Sequence, residues 1–287
     1  MIETAGPWVR AFRRLRRHRA AMVGVGILCA VFFSCFVLPF LLGLDPKVTA
    51  PELRHLSPSW SHWFGTDALG RDHFARVLIG GRVSLLVGIA ATAASVTLGV
   101  AYGAVAGFYG GRLDEAMMRI VDFFYGIPYM FLVILVMLMF SETARGEALP
   151  VFLALGLVQW LTMARIVRGQ VLTLRDRDFV MAARVVGAGD GRILLRHILP
   201  NVMGPVVVYA TLTVPAVILL ESFLSFLGLG VELSWGQLVA EGVAVVNPIE
   251  SPWWLLAWPS AFLAATLLAL NFLGDGLRDA FDPKSAN

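Results

Sequence analysis

Long apolar runs alternate with short polar breaks along the whole 287-residue chain. A helix that crosses a bilayer core about 30 Å thick needs about 20 apolar residues, and six segments reach that length. We therefore predict an all-α integral membrane protein built as a six-helix polytopic bundle. The predicted spans are residues 20–43, 83–108, 118–140, 149–170, 202–228 and 253–274.

The polar break at residues 177–200 predicts a helix, a turn and a second helix outside the bilayer. Phe179, Ala183 and Val186 are spaced as one apolar stripe of a short amphipathic helix. This segment follows the fourth predicted span and leads directly into the fifth. It could therefore transmit a movement of a soluble partner to the membrane bundle.

Glycine and proline residues divide this polar break into its predicted parts. Gly187 and Gly189 are expected to end the first helix, and Gly187 is expected to need a positive φ. Asp190 is placed to cap the second short helix. Pro200 is expected to lie where the fifth span begins.

The composition excludes a soluble domain. The hydrophobic fraction is 58%, the charged fraction is 15% and the mean hydropathy is +0.75, whereas soluble domains are about 45–50% apolar and about 25% charged. Six arginines against one glutamate in residues 1–19 predict a cytoplasmic N-terminus. With six spans, the C-terminus and the break at 177–200 are then cytoplasmic too. Arg71, Arg76 and Arg82 in the first outward loop are exceptions to this charge rule.

Small residues recur every fourth position along the second predicted span, as Ser95, Gly99, Gly103 and Gly107. Such a stripe lets another helix approach closely where lipid removes the hydrophobic drive for association. The neighbouring helix could belong to this chain or to a second subunit.

Two carboxylates fall within the predicted spans, Asp122 in the third and Glu221 in the fifth. Ionisable groups in a membrane are costly and often functional. Prolines inside spans are tolerated where a neighbouring helix or a water-filled path satisfies the freed carbonyls. Asp122, Pro128, Pro215 and Glu221 are therefore candidate pore or gating residues. The alternative is that each carboxylate only caps or pairs with a neighbouring helix, Asp122 for instance with Arg119.

Enzymatic motifs are missing from the sequence. It contains no His-Glu-x-x-His, no Gly-x-Ser-x-Gly and no cluster of Cys or His, so we predict neither a catalytic nor a metal site. Neither of its two lysines, Lys47 and Lys284, follows a glycine-rich phosphate loop. Any ATP must therefore be bound and hydrolysed elsewhere. Nothing calls for nucleic acid as a partner.

The sequence Met-Ala-Ala-Arg-Val-Val-Gly at 181–187 resembles the coupling loop of permease subunits of bacterial ABC importers. The whole chain after the leader resembles the C-type permeases of dipeptide, oligopeptide and nickel importers. Residues 163–170 and the Glu-Ser-Phe of 221–223 favour the oligopeptide branch. The further stretches that carry this resemblance are 65–72, 193–200, 221–230 and 274–284.

The resemblance implies a type I ABC importer permease with a cytoplasmic coupling helix between spans 4 and 5. In that family two permease chains form one pore, two cytoplasmic ATPases hold ATP and Mg, and an extracytoplasmic binding protein delivers the solute. Membrane lipid is a further expected partner, because it surrounds the permease chains. This chain would then bind no cofactor itself and would be a multi-pass protein of the bacterial inner membrane.

The resemblance also implies which residues contact the ATPase. Ala183 is expected to press against it. One departure stands out, because Met181 occupies the position of the first glutamate of the family motif, and Asp178, Arg184 or Arg196 could replace that carboxylate. The predicted coupling residues are Asp178, Phe179, Ala182, Ala183, Arg184, Val186, Gly187, Ala188 and Gly189.

On this reading the chain divides into three parts. Residues 1–19 form a cytoplasmic basic leader, 20–82 the first span with an extracytoplasmic loop, and 83–287 the permease core with the coupling loop 177–200 and a short cytoplasmic tail. Three alternatives stay open: a proton-coupled peptide transporter using Asp122 and Glu221, an importer of nickel or another small solute, and a membrane scaffold without transport.

Overall fold

The computed structural model describes residues 7–139, 148–245 and 251–281. Within these ranges the regular secondary structure is helical, apart from one isolated bridge between Thr66 and Asp72. The helices are α1 Pro7–Leu15, α2 Arg19–Leu41, α3 His73–Tyr109, α4 Gly111–Tyr125, α5 Tyr129–Met139, α6 Ala148–Arg175, α7 Asp178–Val185, α8 Asp190–Phe226, α9 Trp235–Val245 and α10 Trp254–Phe281.

Five helices, α2, α3, α6, α8 and α10, are long and apolar enough to cross a membrane. The third predicted span, 118–140, is not one straight helix, because α4 and α5 meet at an angle of 87°. Gly126 ends α4 by donating to the Asp122 carbonyl at 3.0 Å, and Pro128 has no N–H with which to continue the helical ladder. Counting this bent pair as one span gives the sixth crossing.

The second span begins ten residues earlier than predicted. The Asp72 carboxylate caps α3 by accepting hydrogen bonds from the amides of Phe74 and Ala75, at 2.8 and 3.2 Å. Residues 73–82, which we had assigned to the extracytoplasmic loop, are therefore the first part of a continuous 37-residue helix.

Two π-helical turns each end just before a Leu-Pro pair. Phe33–Val37 precedes Pro39 in α2, and Leu194–Ile198 precedes Pro200 in α8. A wider turn relieves the clash between a proline ring and the preceding turn. We had expected the second helix of the polar break to be separate from the fifth span. In the structure it is continuous with that span.

Asp190 does not cap α8 as predicted. Gly189 is the N-cap residue, and Asp190 is the first helical residue, with no side-chain cap hydrogen bond at this end. Its charge still lies in the first turn, where a carboxylate interacts favourably with the helix dipole.

The most extensive helix pair is α3 with α6. A Cβ at Gly103 would clash with the Ala164 carbonyl oxygen, and one at Gly107 would lie 2.8 Å from the Arg168 carbonyl oxygen. The helix that the small-residue stripe contacts is therefore α6 of this same chain. All four members of the stripe are buried, namely Ser95, Gly99, Gly103 and Gly107.

The described parts of both termini lie at the same end of the bundle as α7. Leu15 lies against Gly276 of α10, and the ring of Phe281 lies beside Gly204 of α8. Arg175, at the end of α6, donates to the Gly107 carbonyl at 3.2 Å. We call this the α7 end, and we call the side that carries residues 42–72 and α9 the opposite end.

Helix α9 was not predicted, because it lies in residues 229–252, between the fifth and sixth predicted spans. Trp235, Leu238 and Gly242 are buried at helical spacing and could have revealed it. The Trp235 Nε1 donates to the Val77 carbonyl at 3.0 Å and joins α9 to α3. Residues 246–250 of this segment, residues 140–147 between the third and fourth predicted spans, and the tail from 282 lie outside the described residues.

Candidate coupling and transport sites

Helix α7 turns one side toward the chain's own core. Val180 is fully buried and packs with Ile193 and Ile198 of α8. Ala183 is partly buried and packs against the same cluster. Ala183 therefore contacts the permease's own core, and its expected contact with an ATPase stays a prediction. The 3.6-residue period places it one turn from Val180 on the same side.

Apolar side chains of α7 and of the C-cap residue that follows it are exposed. Val185 and Val186 are 89% and 87% exposed, Met181 is 56% exposed and Phe179 is 40% exposed. Four such side chains in one eight-residue stretch outside the bilayer mark an interaction surface. We call these four residues the α7 patch. The predicted coupling residues that are also exposed are Asp178, Ala182, Arg184, Gly187 and Gly189, whereas Ala188 is half-buried.

A left-handed turn follows α7. Gly187 has a φ of +86°, its amide donates to the Arg184 carbonyl at 2.9 Å, and the Ala188 amide donates to the Ala183 carbonyl at 3.0 Å. This arrangement satisfies carbonyls at the helix end and requires a residue that tolerates positive φ.

Short, hydrogen-bonded connections join α7 to two spans. Only residues 176 and 177 separate it from α6, and the Arg177 amide donates to the Leu174 carbonyl at 3.1 Å. On the other side, α8 begins at Asp190 and continues through the bundle to Phe226. A displacement of α7 is therefore transmitted to α6 and α8 with few flexible residues between them.

Asp122 pairs with α6 rather than with Arg119. Arg165 donates to its carboxylate at 2.5 Å and lies over the Tyr125 ring, with 3.8 Å between the guanidinium carbon and the ring centroid. The Tyr125 hydroxyl in turn bonds to Thr162. The side chains of Asp122 and Arg165 are 64% and 42% exposed, so this polar group lies on an open face of α4 and α6.

A second ion pair between the same helices is more enclosed. Arg168 binds Asp114 with two hydrogen bonds of 2.5 and 2.6 Å, and the Asp114 side chain is only 9% exposed. Asp114 was not among the candidate residues named from the sequence. The two pairs explain how the charges of Arg165 and Arg168 are accommodated at the end of the fourth span.

Glu221 is fully buried and is surrounded by serine hydroxyls. Ser225 donates to its carboxylate at 2.6 Å, Ser84 of α3 at 3.1 Å and the neighbouring Ser222 at 3.5 Å. Two of these serines also accept backbone amides, Ser84 from Trp235 at 3.2 Å and Ser225 from Val231 at 3.1 Å. Glu221 therefore holds α3, α8 and the start of α9 together, which is the structural alternative considered above.

Pro215 is buried within α8, which continues through it. Pro128 lies in the bend between α4 and α5. The two candidate prolines are thus placed differently, one in a continuous helix and one at a break.

An ion-pair network at the opposite end was not predicted from the sequence. Arg76, whose side chain is 4% exposed, donates to Asp67 at 2.6 Å and to both carboxylate oxygens of Glu241 at 2.6 and 3.0 Å. Arg71 donates to Asp67 at 2.6 Å. These carboxylates neutralise two of the three arginines that had contradicted the charge rule, and the network joins the 42–72 segment to α9.

The network also changes the proton affinity of Asp67. Burial by itself raises the pKa of this carboxyl group, but hydrogen bonds from the amides of Arg71 and Leu69, the charge of Arg76 and the Arg71 side chain outweigh it. The pKa of Asp67 is consequently lowered.

Comparison with known proteins agrees with this arrangement. Residues 99–287 match the family described as "Binding-protein-dependent transport system inner membrane component". The chain belongs to this family. Residues 6–58 match a second family, the N-terminal TM domain of oligopeptide transport permease C. The resemblance stated from the sequence is thereby confirmed.

This chain matches several named relatives along almost its whole length. It is 45% identical to the dipeptide transport system permease protein DppC of Bacillus subtilis, over 96% of this chain and 85% of that protein. It is 46% identical to the oligopeptide transport system permease protein OppC of Haemophilus influenzae, over 99% and 90%. OppC of Escherichia coli K12 is 44% identical over 99% and 93%.

A solved structure has the same fold. An inward-facing form of the MetNI methionine ABC transporter superposes with a TM-score of 0.59 at 18% identity, over 71% of this chain and 96% of that chain. The predicted fold class, an all-α membrane bundle of the ABC importer permease kind, is thereby confirmed.

Proposed function

We propose that this permease forms half of the translocation path of an ATP-driven importer of oligopeptides or dipeptides. Its partners would be a second permease chain, two cytoplasmic ATPases and an extracytoplasmic peptide-binding protein. The chain itself would bind no nucleotide, because ATP and Mg would be held by the ATPases. The transporter would lie in the bacterial inner membrane with the α7 end in the cytoplasm.

The α7 patch is the observation that carries the coupling part of this proposal. Valine side chains that are almost nine-tenths exposed outside the bilayer gain most from a covering protein surface. On the inner side, Val180 and Ala183 fix α7 to the core. A partner that binds the patch can then move α6 and α8 together, because the connections on both sides are short.

The proposed ATPase contact differs in detail from the sequence-based expectation. Met181, at the position of the family's glutamate, belongs to the exposed patch and supplies an apolar contact. Asp178 and Arg184, at the two ends of α7, are exposed and remain the proposed polar contacts, whereas Ala183 supports the helix from within.

Peptides are proposed as the substrate because the relatives with 44–46% identity are named for oligopeptide or dipeptide transport. Family membership favours this over a self-sufficient proton-coupled transporter or a scaffold, and the names of these relatives favour peptides over nickel. The open polar face around Asp122 and Arg165 is the proposed contact with the passing solute. Glu221 is proposed as a structural residue that supports the bundle beside the path.

The coupling proposal can be tested by making the α7 patch charged. We expect Val185→Glu combined with Val186→Glu to abolish co-purification of the ATPases and ATP-dependent peptide uptake, while the permease pair remains in the membrane. Val48→Glu, at an exposed valine of the opposite end, is the matched control and should retain the ATPases. If the double variant binds its ATPases and transports normally, α7 is not the docking site.

A further inference from the structure

Helix α1 combines exposed apolar and exposed basic side chains. It is nine residues long, and its Val9 and Phe12 are 54% and 62% exposed. On a helical projection these two residues lie on one side, Arg10 and Arg14 lie on the other, and Arg13 lies beside Val9 at the boundary. Exposed arginines of α1 and of the turn that follows it are Arg10, Arg13, Arg16 and Arg17.

The position of α1 along the bundle is fixed by α2 and α10. Ala11 is buried, and Leu15 lies against Gly276 of α10. His18 then caps α2 by accepting the Ala21 amide at 3.1 Å, and it lies 3.5 Å from the Asp279 carboxylate. These contacts hold α1 in a defined place rather than leaving it as a free tail.

That place is level with the end of the apolar part of α10. The apolar run of α10 ends at Leu273, and charged residues begin at Asp275. Since a hydrophobic helix leaves the bilayer where its charged residues begin, α1 lies at the membrane boundary. Its exposed apolar side chains are then within reach of the acyl chains, and its arginines are within reach of the headgroups.

We propose that α1 lies on the bilayer surface at the α7 end and binds anionic phospholipid headgroups. Val9 and Phe12 would enter the boundary of the acyl region, and Arg10, Arg16 and Arg17 would contact the phosphates. Opposite charge favours an anionic leaflet over a neutral one, because each arginine near such a surface strengthens binding about fivefold. Anchored in this way, α1 holds the ends of α2 and α10 against the leaflet.

The test places a spin label at Phe12→Cys in a chain whose Cys29 and Cys35 are replaced by alanine. The assembled transporter is incorporated into nanodiscs of phosphatidylcholine alone or mixed with phosphatidylglycerol. We expect the label to gain accessibility to oxygen and to lose it to a water-soluble relaxation agent as phosphatidylglycerol is added. A label at Gly191→Cys, an exposed position in the first turn of α8 at the same α7 end, is the control and should not enter the bilayer with either lipid.

Charge variants separate the anionic headgroup from a general apolar contact. Replacing Arg10, Arg16 and Arg17 with glutamine should lower the ratio of inserted to water-exposed label about fivefold for each arginine removed, whereas lysine at the same positions should preserve it. Insertion that is equal in both lipids and unchanged by the glutamine variant would overturn the headgroup assignment. A Phe12 label that stays in water, or that is covered by a partner chain, would overturn the membrane location.

Discussion

Ser84 of α3 donates a hydrogen bond of 3.1 Å to the Glu221 carboxylate of α8, although 137 residues separate them in sequence. The same hydroxyl oxygen accepts the Trp235 amide at 3.2 Å. A single buried carboxylate therefore fixes two spans and the start of α9 through hydroxyl groups. An intramembrane glutamate that suggests proton coupling from the sequence is, in this fold, part of the packing.

Replacing Glu221 tests that assignment. Glu221→Gln retains an acceptor and should leave ATP-driven peptide uptake nearly normal. Glu221→Leu leaves the hydroxyls of Ser84 and Ser225 without their partner, and should lower the free energy of unfolding by about 1–3 kcal/mol for each buried group left unsatisfied. Thermal unfolding of the purified complex and uptake into proteoliposomes measure the two effects. Loss of uptake in a stable Glu221→Gln variant would instead indicate a protonation role.

Close approach of α3 and α6 depends on Gly103. In Gly103→Ala the new Cβ meets the Ala164 carbonyl oxygen, a backbone atom that can move only with its helix. We expect the two helices to separate and the melting temperature to fall by several degrees, because overpacking typically costs about 1–3 kcal/mol. Gly169→Ala on α6, with no atom within 4 Å of its added Cβ, is the control and should melt like the parent chain. Equal melting temperatures would contradict the close packing.

The sequence predicted the parts of this fold that depend on local pattern. Hydrophobic length was sufficient to locate the spans, and Gly187 was sufficient to place a left-handed turn. The start of α3 was misplaced because Arg76 was counted as a polar residue outside the membrane. Its charge is compensated by Glu241, which lies 165 residues away. No local pattern contains that pairing.

The candidate coupling site likewise has features that the local sequence predicts and features that depend on residues distant in sequence. The segment 177–186 was found from its apolar stripe, but the stripe could not reveal which side faces the core. Ile193 and Ile198 decide this by packing against Val180, and they lie beyond the turn. The 87° bend at Gly126 was missed because hydropathy records the length of an apolar run and not its direction.

The turn after α7 requires glycine at position 187. Gly187→Ala places a Cβ on a residue with a φ of +86°, which costs about 1–2 kcal/mol for an L-residue. We expect reduced peptide uptake and weaker stimulation of ATP hydrolysis by the loaded binding protein. Gly191→Ala lies in the first turn of α8 with no atom within 4 Å of the new Cβ, and it should behave as the parent chain. Identical coupling in both variants would show that this turn does not limit transmission.

Stability at acid pH should depend on Asp67. Its pKa is lower in the folded chain than the usual value of about 3.9, so the unfolded chain takes up a proton first as the pH falls. The stabilisation is therefore complete above about pH 4 and is lost as the pH falls through the folded-state pKa. Melting temperatures measured across this range should show a smaller acid-induced decrease in Asp67→Asn than in the parent. Asp45→Asn, at an exposed aspartate of the same segment, is the control. An unchanged decrease in Asp67→Asn would exclude this linkage.

The two ion pairs between α4 and α6 should respond differently to removal of an arginine. The pair of Arg165 and Asp122 is largely exposed, and exposed pairs contribute little to stability. Arg165→Gln should therefore leave the melting temperature nearly unchanged and, if this face contacts the solute, should reduce uptake severalfold. Arg168→Gln leaves the enclosed Asp114 carboxylate without its two hydrogen bonds and should lower the melting temperature clearly. Arg165→Gln is thus expected to change uptake without changing the melting temperature. Normal uptake by this variant would exclude the polar face from the proposed translocation path.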